Sequence, residues 1–458
     1  MDYTGGSHDA QHLCVLVHGL WGNPNHLQVM AASLREKYPE ESLHILVAKR
    51  NSGSFTYDGI ERGGERVCLE IEEEIEKLAR AGQEISRISL VGYSLGGLVA
   101  RFTVGLLDSK GFFEKIKPVN FTTFATPHLG VRTPLRGWHN HVWNVLGART
   151  LSASGRQLFT IDNFRETGMP LLEVLADPES IFIKGLAKFQ RRTLYTNIVN
   201  DRSAVYYTTG ISKTDPFTNI ENIKVNYVKG YEDVIVDPEV PVAPLDPQET
   251  DSSLYGTLIR SSQTTIGRLP FLLAMMLFIP LGVVAFLLNS GVQSLRSNRR
   301  IRLHERGLAG IQPGNYRVPL LITGMREAVE DVYENLNSAQ SNEYLVAGTE
   351  EEAAQEEPGS PILERAQSFH GRSSKPQTPL SSQEKSGELQ HDSPTLALAP
   401  YQFRMIVALD SVGWRKYPVH IHKGKHSHAA IIVRAPDKPS LQEGHVVFRH
   451  WLDEEFIL

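Results

Sequence analysis

Short apolar runs alternate with helically spaced ones through the first half of the chain. His12 to Leu20, HLCVLVHGL, reads as a buried strand ending in His-Gly. Asn25 to Tyr38 has helical periodicity after a polar start, and Leu43 to Ala48 is a second strand. Gly63 to Ala81 is a charged amphipathic helix with Val67, Leu69, Ile71, Ile75 and Leu78 at its apolar positions. A β-branched strand from Arg87 then runs into Gly92-Tyr93-Ser94-Leu95-Gly96 and an apolar helical stretch to Ala100. Asn120 to Ala125 is another short strand, ending in Thr126-Pro127-His128, and Thr193 to Val199 is a further one, ending at Asn200-Asp201. Strands that alternate with helices predict a mostly parallel central sheet with flanking helices, the α/β class.

Between those last two strands the rhythm breaks. Trp138, Trp143, Phe159, Phe164, Met169, Leu171, Leu172, Phe182 and Phe189 recur at helical spacing. The stretch from about 129 to 190 is therefore expected to be a helical cap inserted over the site, an ordinary helical layer of the core being the alternative. A strand-like stretch follows near Ile223 to Val228, and the core's first part is expected to span 11–237. From 238 to 267 a linker opens on the proline-broken PEVPVAPLDPQET. The segment 268–306 contains Leu269 to Leu288, a run without charge interrupted by Pro270, Pro280 and Gly282, and then a basic flank with Arg296, Arg299, Arg300, Arg302 and Arg306. Residues 337–395 are polar and acidic, with Ser-Pro or Thr-Pro pairs at Ser360, Thr378 and Ser393. Such a tract cannot bury enough apolar area to order itself. Order returns at 400–458, expected to complete the core and to end in an amphipathic helix from Leu441 to Phe456.

The formal net charge of -5 gives no global reason to expect nucleic acid as a partner. Two cysteines, Cys14 and Cys68, make no disulfide framework, and Cys14 in an apolar strand is expected to be a buried thiol. Met1 to Gln11 is polar, which predicts no signal peptide and synthesis in the cytosol.

The strand-to-helix context turns G-x-S-x-G from a common pentapeptide into a nucleophile elbow. The turn is so sharp that the serine's neighbours must be small, and it holds the Ser94 Oγ out at the sheet's edge. A serine nucleophile needs a base, and the base needs an orienting acid, in the chain order Ser, acid, His. Asp201, just beyond an apolar strand, is the first choice for the acid, with Asp215, Asp233 and Asp237 behind it. No histidine occurs between Asp201 and Arg268, so the base must come from later in the chain. His304 lies by the basic flank, His370 and His391 fall in the polar tract, and His445 and His450 belong to the terminal helix. That leaves VHIHKGKHSHAAIIV with His420, His422, His426 and His428; His428 fits best and His426 is the alternative base. Two pairs of histidines without a matching carboxylate or cysteine set are a poor metal site, so neither metal nor cofactor is expected. Two backbone donors should form an oxyanion hole: Leu95, after the nucleophile, and Leu20, in the loop after the first strand.

LVHGLWGN, GYSLGGLVAR, FATPHLGV and NDRSAVYYTTGI, in this order and with HSHAAIIVR near the end, resemble the serine esterase family of α/β-hydrolases (DUF676), including its fungal lipid-droplet phospholipases. The resemblance covers Leu13 to about Val236 and Tyr401 to Arg434. It implies the α/β-hydrolase fold and hydrolysis of glycerolipid esters, chiefly phospholipids, at a lipid surface. It also implies Ser94, Asp201 and His428 as the triad. Tyr93 departs from the histidine more usual before the nucleophile in lipases, a change expected to alter packing behind the elbow. The rival readings are a monoacylglycerol or lysophospholipid lipase and an inert membrane scaffold that keeps the fold.

The uncharged run would be about 30 Å long as a helix, enough to span a bilayer. Ser94 and Asp201 precede it, however, and every eligible histidine follows it. A single crossing would divide the triad between two compartments. The expectation is therefore a re-entrant hairpin bent at Pro280, or an interfacial anchor. It would sit in a lipid-droplet monolayer or the endoplasmic reticulum membrane, with the catalytic part facing the cytosol.

Overall fold

Strands β1 (His12–Val17), β2 (Leu43–Val47), β3 (Arg87–Tyr93), β4 (Lys117–Phe124) and β5 (Arg191–Asn197) form where the apolar runs place them. In this computed structural model the described residues are 3–132, 151–245, 269–317, 395–396, 398–423 and 425–458, with backbone alone along 269–286. Two short strands, β6 (Ile223–Val225) and β7 (Val242–Pro244), form a separate antiparallel pair, so part of the expected linker is folded. The last strand, β8 (Arg415–Val419), comes from the far side of the hydrophobic segment and joins the main sheet beside β5. The six strands are all parallel, in the order β2-β1-β3-β4-β5-β8.

A parallel sheet is covered on both faces, which is why its strands are apolar on both sides. Along β1, Leu13, Val15 and Val17 enter one apolar cluster, and Cys14 and Leu16 enter the other. The first cluster is completed by α2 (Ile60–Arg80) and α3 (Leu95–Ser109). The second is completed by α1 (Gln28–Lys37) and by the C-terminal end of the chain.

Three further helices, α4 (Ser152–Leu158), α5 (Leu171–Ala176) and α6 (Ile181–Ala187), occupy the described part of the expected cap. Phe182 of α6 packs against Phe102 of α3 with the rings tilted, and Phe159, Phe164, Leu172 and Phe189 are buried in the same cluster. Gly105 admits this contact: a Cβ there would fall 2.3 Å from the Phe182 ring. The stretch from Leu171 to Phe189 is thus a layer of the core, not a cap. It is the crossover from β4 to β5, and a crossover must cover the sheet face it passes.

The hydrophobic segment is α7, one helix from Leu269 to Glu305. It runs unbroken through Pro280, so the expected hairpin does not form. A proline inside a helix removes one hydrogen bond and can bend the helix without ending it. Among the described residues no helix is long and apolar enough to cross a membrane. The expected disordered tract lies outside the described residues except Thr395, which bridges to Thr214. The chain closes with α8 (Pro400–Asp410), α9 (Ser427–Ala430) and α10 (Gly444–His450), and the last turns bury Trp451 against Phe124.

Candidate active site

Ser94 sits between β3 and α3 with φ 54° and ψ -128°, a conformation that a β-carbon makes costly. Close packing enforces it. A Cβ on Gly92 would lie 2.3 Å from the Gly97 Cα, and one on Gly97 would lie 2.1 Å from Thr126 Oγ1. Strand and helix therefore meet almost backbone to backbone, and the serine between them has nowhere to go but outward. The Ser94 N–H donates to the Phe124 carbonyl at 2.9 Å, tying the elbow to the end of β4.

The three residues expected to form a triad come together. His428 Nε2 is 2.9 Å from Ser94 Oγ, and His428 Nδ1 is 2.8 Å from Asp201 Oδ2. The distances fit a serine that donates to the imidazole and an imidazole that donates to the carboxylate. Asp201 stands in the turn after β5, where Asn200 takes φ 60°. Its carboxylate also accepts from the Asn197 amide at 2.9 Å and from the Ser203 and Ala204 N–H groups at 3.0 and 2.9 Å. Burial alone would raise the Asp201 pKa. The facing His428, the Ala204 N–H and the Asn197 amide outweigh burial and hold it below its ordinary value.

His428 opens no strand or long helix, so its loop needs fixing. Tyr93, at the end of β3, donates its O–H to the His428 carbonyl at 2.8 Å, and the two rings lie 5.2 Å apart. Ser427 Oγ donates to the Val199 carbonyl at 2.6 Å. The histidine loop is thus sewn to the two strands that present its triad partners. Sequence reasoning gave Tyr93 only a packing role and overlooked Asn197 and Ser427. Their side chains act on backbone or carboxylate atoms that only the fold brings near, so no local pattern marked them.

The remaining candidates fall elsewhere. His426 is exposed and offers its carbonyl to Ala429 and Ala430 N–H. His304 is buried against Glu65, and His450 pairs with the Tyr195 hydroxyl at 2.8 Å. His420 pairs with the Tyr227 hydroxyl and stacks on His422. Asp215 and Asp237 accept backbone N–H groups in their own turns. No hydrogen bond or ion pair among the described residues joins either of them, or Asp233, to His428.

The loop after β1 reaches the nucleophile. A Cβ on Gly19 would fall 2.8 Å from Ser94 Cβ, so only glycine lets the backbone come this close. His18, buried and held below its ordinary pKa by that burial, donates from Nδ1 to the Gly19 carbonyl at 3.1 Å and braces the loop. The Trp21 N–H is already engaged by Thr56 Oγ1, and the Leu20 N–H, between it and Gly19, is the oxyanion donor the sequence proposes. Leu95 is the first residue of α3, where N–H groups have no partner within the helix and the helix dipole is positive. His128 of the TPHLG stretch is buried beside Thr123 and Arg101. Arg101 donates to the Leu175 carbonyl at 2.9 Å and so ties α3 to α5.

An all-parallel sheet, a strained serine at a strand-to-helix turn, and Ser, Asp and His in that chain order define an α/β-hydrolase with a complete triad. Residues 7–214 match the family described as "Putative serine esterase (DUF676)", the same family that the sequence motifs resemble. Among curated relatives, "Putative lipase ROG1" of Saccharomyces cerevisiae is 30% identical over 241 residues, covering 51% of this chain and 33% of the relative. "Putative lipase YDL109C" of the same yeast is 31% identical over 207 residues (44% and 30%). "Putative lipase C4A8.10" of Schizosaccharomyces pombe is 30% identical over 211 residues (44% and 26%). The chain thus matches about a third or less of the length of each of these relatives. Solved structures with some likeness include Est1E from Butyrivibrio proteoclasticus, at 14% identity and TM-score 0.25, covering 43% of this chain and 71% of that one. Another is the Trichoderma reesei cutinase, at 15% identity and TM-score 0.20, covering 28% and 58%.

Proposed function

We propose that this protein is a serine hydrolase that cleaves acyl esters of glycerolipids, phospholipids foremost. It would act at the surface of a lipid droplet or of the endoplasmic reticulum membrane, with its catalytic part facing the cytosol. The observation that carries the chemistry is the hydrogen-bonded series Ser94 Oγ, His428, Asp201. Ser94 Oγ attacks the ester carbonyl while His428 Nε2 takes its proton. Asp201 keeps the imidazole in the tautomer that can accept this proton and stabilises the imidazolium that forms. The tetrahedral oxyanion is met by the Leu20 and Leu95 N–H groups. His428 then passes the proton to the departing alcohol, leaving Ser94 acylated. A water, deprotonated in turn by His428, releases the fatty acid and restores the serine.

The glycerolipid reading is supported by the lipase names of the relatives and by the uncharged stretch in α7. The test is fatty-acid release by the purified full chain from a panel of phospholipids, lysophospholipids, mono-, di- and triacylglycerols. A fluorophosphonate should label the wild type and leave Ser94→Ala unlabelled. Labelling that survives Ser94→Ala refutes the triad, and release confined to monoacylglycerol or lysophospholipid refutes the phospholipase reading.

A further inference from the structure

The C-terminal half of α7 has two unlike faces. Ser290, Ser297 and His304, seven residues apart, are buried on one side. That side is fastened to the core by charged contacts. Asp58, whose side chain is fully buried, accepts from Ser297 Oγ at 2.7 Å, from Arg300 Nη2 at 2.8 Å and from Arg66 Nη2 at 2.7 Å. Arg300 also donates to the Ser54 carbonyl at 2.7 Å, His304 pairs with Glu65, and Glu305 pairs with Arg62.

The opposite side faces outward. At 3.6 residues per turn, Leu288, Leu295, Arg299 and Arg306 lie opposite Ser297, with Val292 and Arg302 beside them. Leu288 is 67% exposed, Leu295 73% and Val292 45%. Arg299, Arg302 and Arg306 are exposed, and no ion pair among the described residues involves them. The outward face is thus apolar toward the uncharged sequence Leu269 to Phe286 and cationic toward Glu305. We propose that this face seats on an anionic phospholipid surface, with Leu288, Val292 and Leu295 among the acyl chains and Arg299, Arg302 and Arg306 among the head-group phosphates.

The same helix reaches toward the catalytic serine. Asp58 and Ser54, which it grips, flank Thr56 and Tyr57. Thr56 Oγ1 accepts the Trp21 N–H at 3.1 Å, and the Tyr57 hydroxyl accepts the Trp21 indole N–H at 2.7 Å. Trp21, 52% exposed, follows Gly19 and Leu20 beside Ser94. The helix that would meet the surface thus holds the 54–58 segment, which in turn braces the loop proposed to carry the oxyanion donor. This consequence rests on the lipid-hydrolase reading, whereas the docking face does not.

Cys14 and Cys68 are the only cysteines and both are buried, so an introduced surface thiol can be labelled selectively. The full chain carrying Leu295→Cys and an environment-sensitive dye is mixed with phosphatidylcholine vesicles with and without phosphatidylserine. Emission should rise and shift to the blue on the anionic vesicles. The same dye on Arg80→Cys, at the other end of α2, should not respond. Each arginine at such a surface strengthens binding about fivefold. The combined Arg299→Gln, Arg302→Gln and Arg306→Gln variant should therefore need on the order of a hundredfold more anionic lipid for half of the signal. Its hydrolysis of a soluble short-chain ester should match the wild type. A silent dye at Leu295→Cys, or a triple variant that binds like the wild type, overturns the docking face. A responding dye on a chain that hydrolyses no ester leaves the docking face standing and refutes the hydrolase reading instead.

Discussion

Removing one oxygen from Tyr93 tests how the site is held together. The Tyr93 O–H donates to the carbonyl of His428, the residue that must face Ser94 and Asp201 at once. Burial pushes the phenol's pKa up, so it remains a donor at any practical assay pH. Tyr93→Phe keeps the buried ring and its contact with the imidazole and removes the hydroxyl, which also accepts a hydrogen bond from the Arg434 side chain. A neutral hydrogen bond contributes about 0.5–1.5 kcal/mol, and stranding a buried carbonyl costs about 1–3 kcal/mol. His428 is half-buried, so water can meet part of the loss, and a total near 1.5 kcal/mol is expected. If most of it is spent on keeping Nε2 aligned, kcat falls about tenfold. KM for a soluble ester should stay unchanged, because Tyr93 is buried behind the serine. Steady-state kinetics and thermal unfolding on the same preparation separate the possibilities. A purely structural hydroxyl would lower Tm by about 2–4 °C and leave kcat alone. An unchanged kcat refutes the positioning argument.

Asp201→Asn should lower kcat by about 10⁴, because the amide cannot hold the productive tautomer. The wild-type carboxyl is depressed in the folded chain. Its stabilising share should be present above the ordinary carboxylate range, about pH 4, and be lost as pH falls through the lower folded pKa. Urea midpoints of wild type and variant should accordingly converge in acid, and a constant gap would contradict this. Asp162 shows the opposite sign: burial raises its pKa to about 6, partly offset by the Leu171 N–H. Its ionisation costs stability as pH rises through that value. Asp162→Asn should raise Tm at about pH 8 and lose the advantage below about pH 4, the ordinary carboxylate value, and an equal gain at both would sink the assignment. Breaking the buried contacts of α7 should follow an order. Asp58→Ala strands both Arg66 and Arg300 and should cost about 3–5 kcal/mol, whereas Arg300→Ala leaves Asp58 paired with Arg66 and Ser297 and should cost less. Equal denaturation midpoints for the two variants would contradict that ranking.

The core was legible where a local rule dominates. A continuous apolar run such as HLCVLV has no other use than a strand covered on both faces, and G-x-S-x-G between strand and helix dictates its own geometry. His428 was found by elimination because the fold demands a base after the acid. What stayed hidden depends on contacts between distant segments. The helical spacing of Phe159, Phe164, Leu172 and Phe182 is the same in a cap and in a crossover layer; only packing on Phe102 distinguishes them. Pro280 reads as a breaker in isolation, but a long helix can absorb one lost hydrogen bond. The grip of Asp58 on Ser297 and Arg300 joins residues about 240 apart and has no sequence signature.

The sheet also restricts how the uncharged stretch of α7 can meet a membrane. Asp201 follows β5 and His428 follows β8, and these strands pair in parallel register from Thr193 and Arg415 onward. Ile235, before α7, also bridges to Val419, after it. The Arg300 end of α7 is itself fixed to Asp58 near the catalytic loop. The segments on both sides of the stretch therefore belong to one folded body. Any arrangement that left them in different compartments would break the pairing of β5 with β8 before it touched the triad. As one unbroken helix the stretch can lie in an interface, but it cannot pass through once. Epitope tags inserted after Leu245 and after Gly310 of the full chain in sealed microsomes should thus be digested together by added protease, or protected together. Digestion of one with protection of the other would mean that Ser94 and His428 never share a compartment, and the proposed chemistry would fall with the topology.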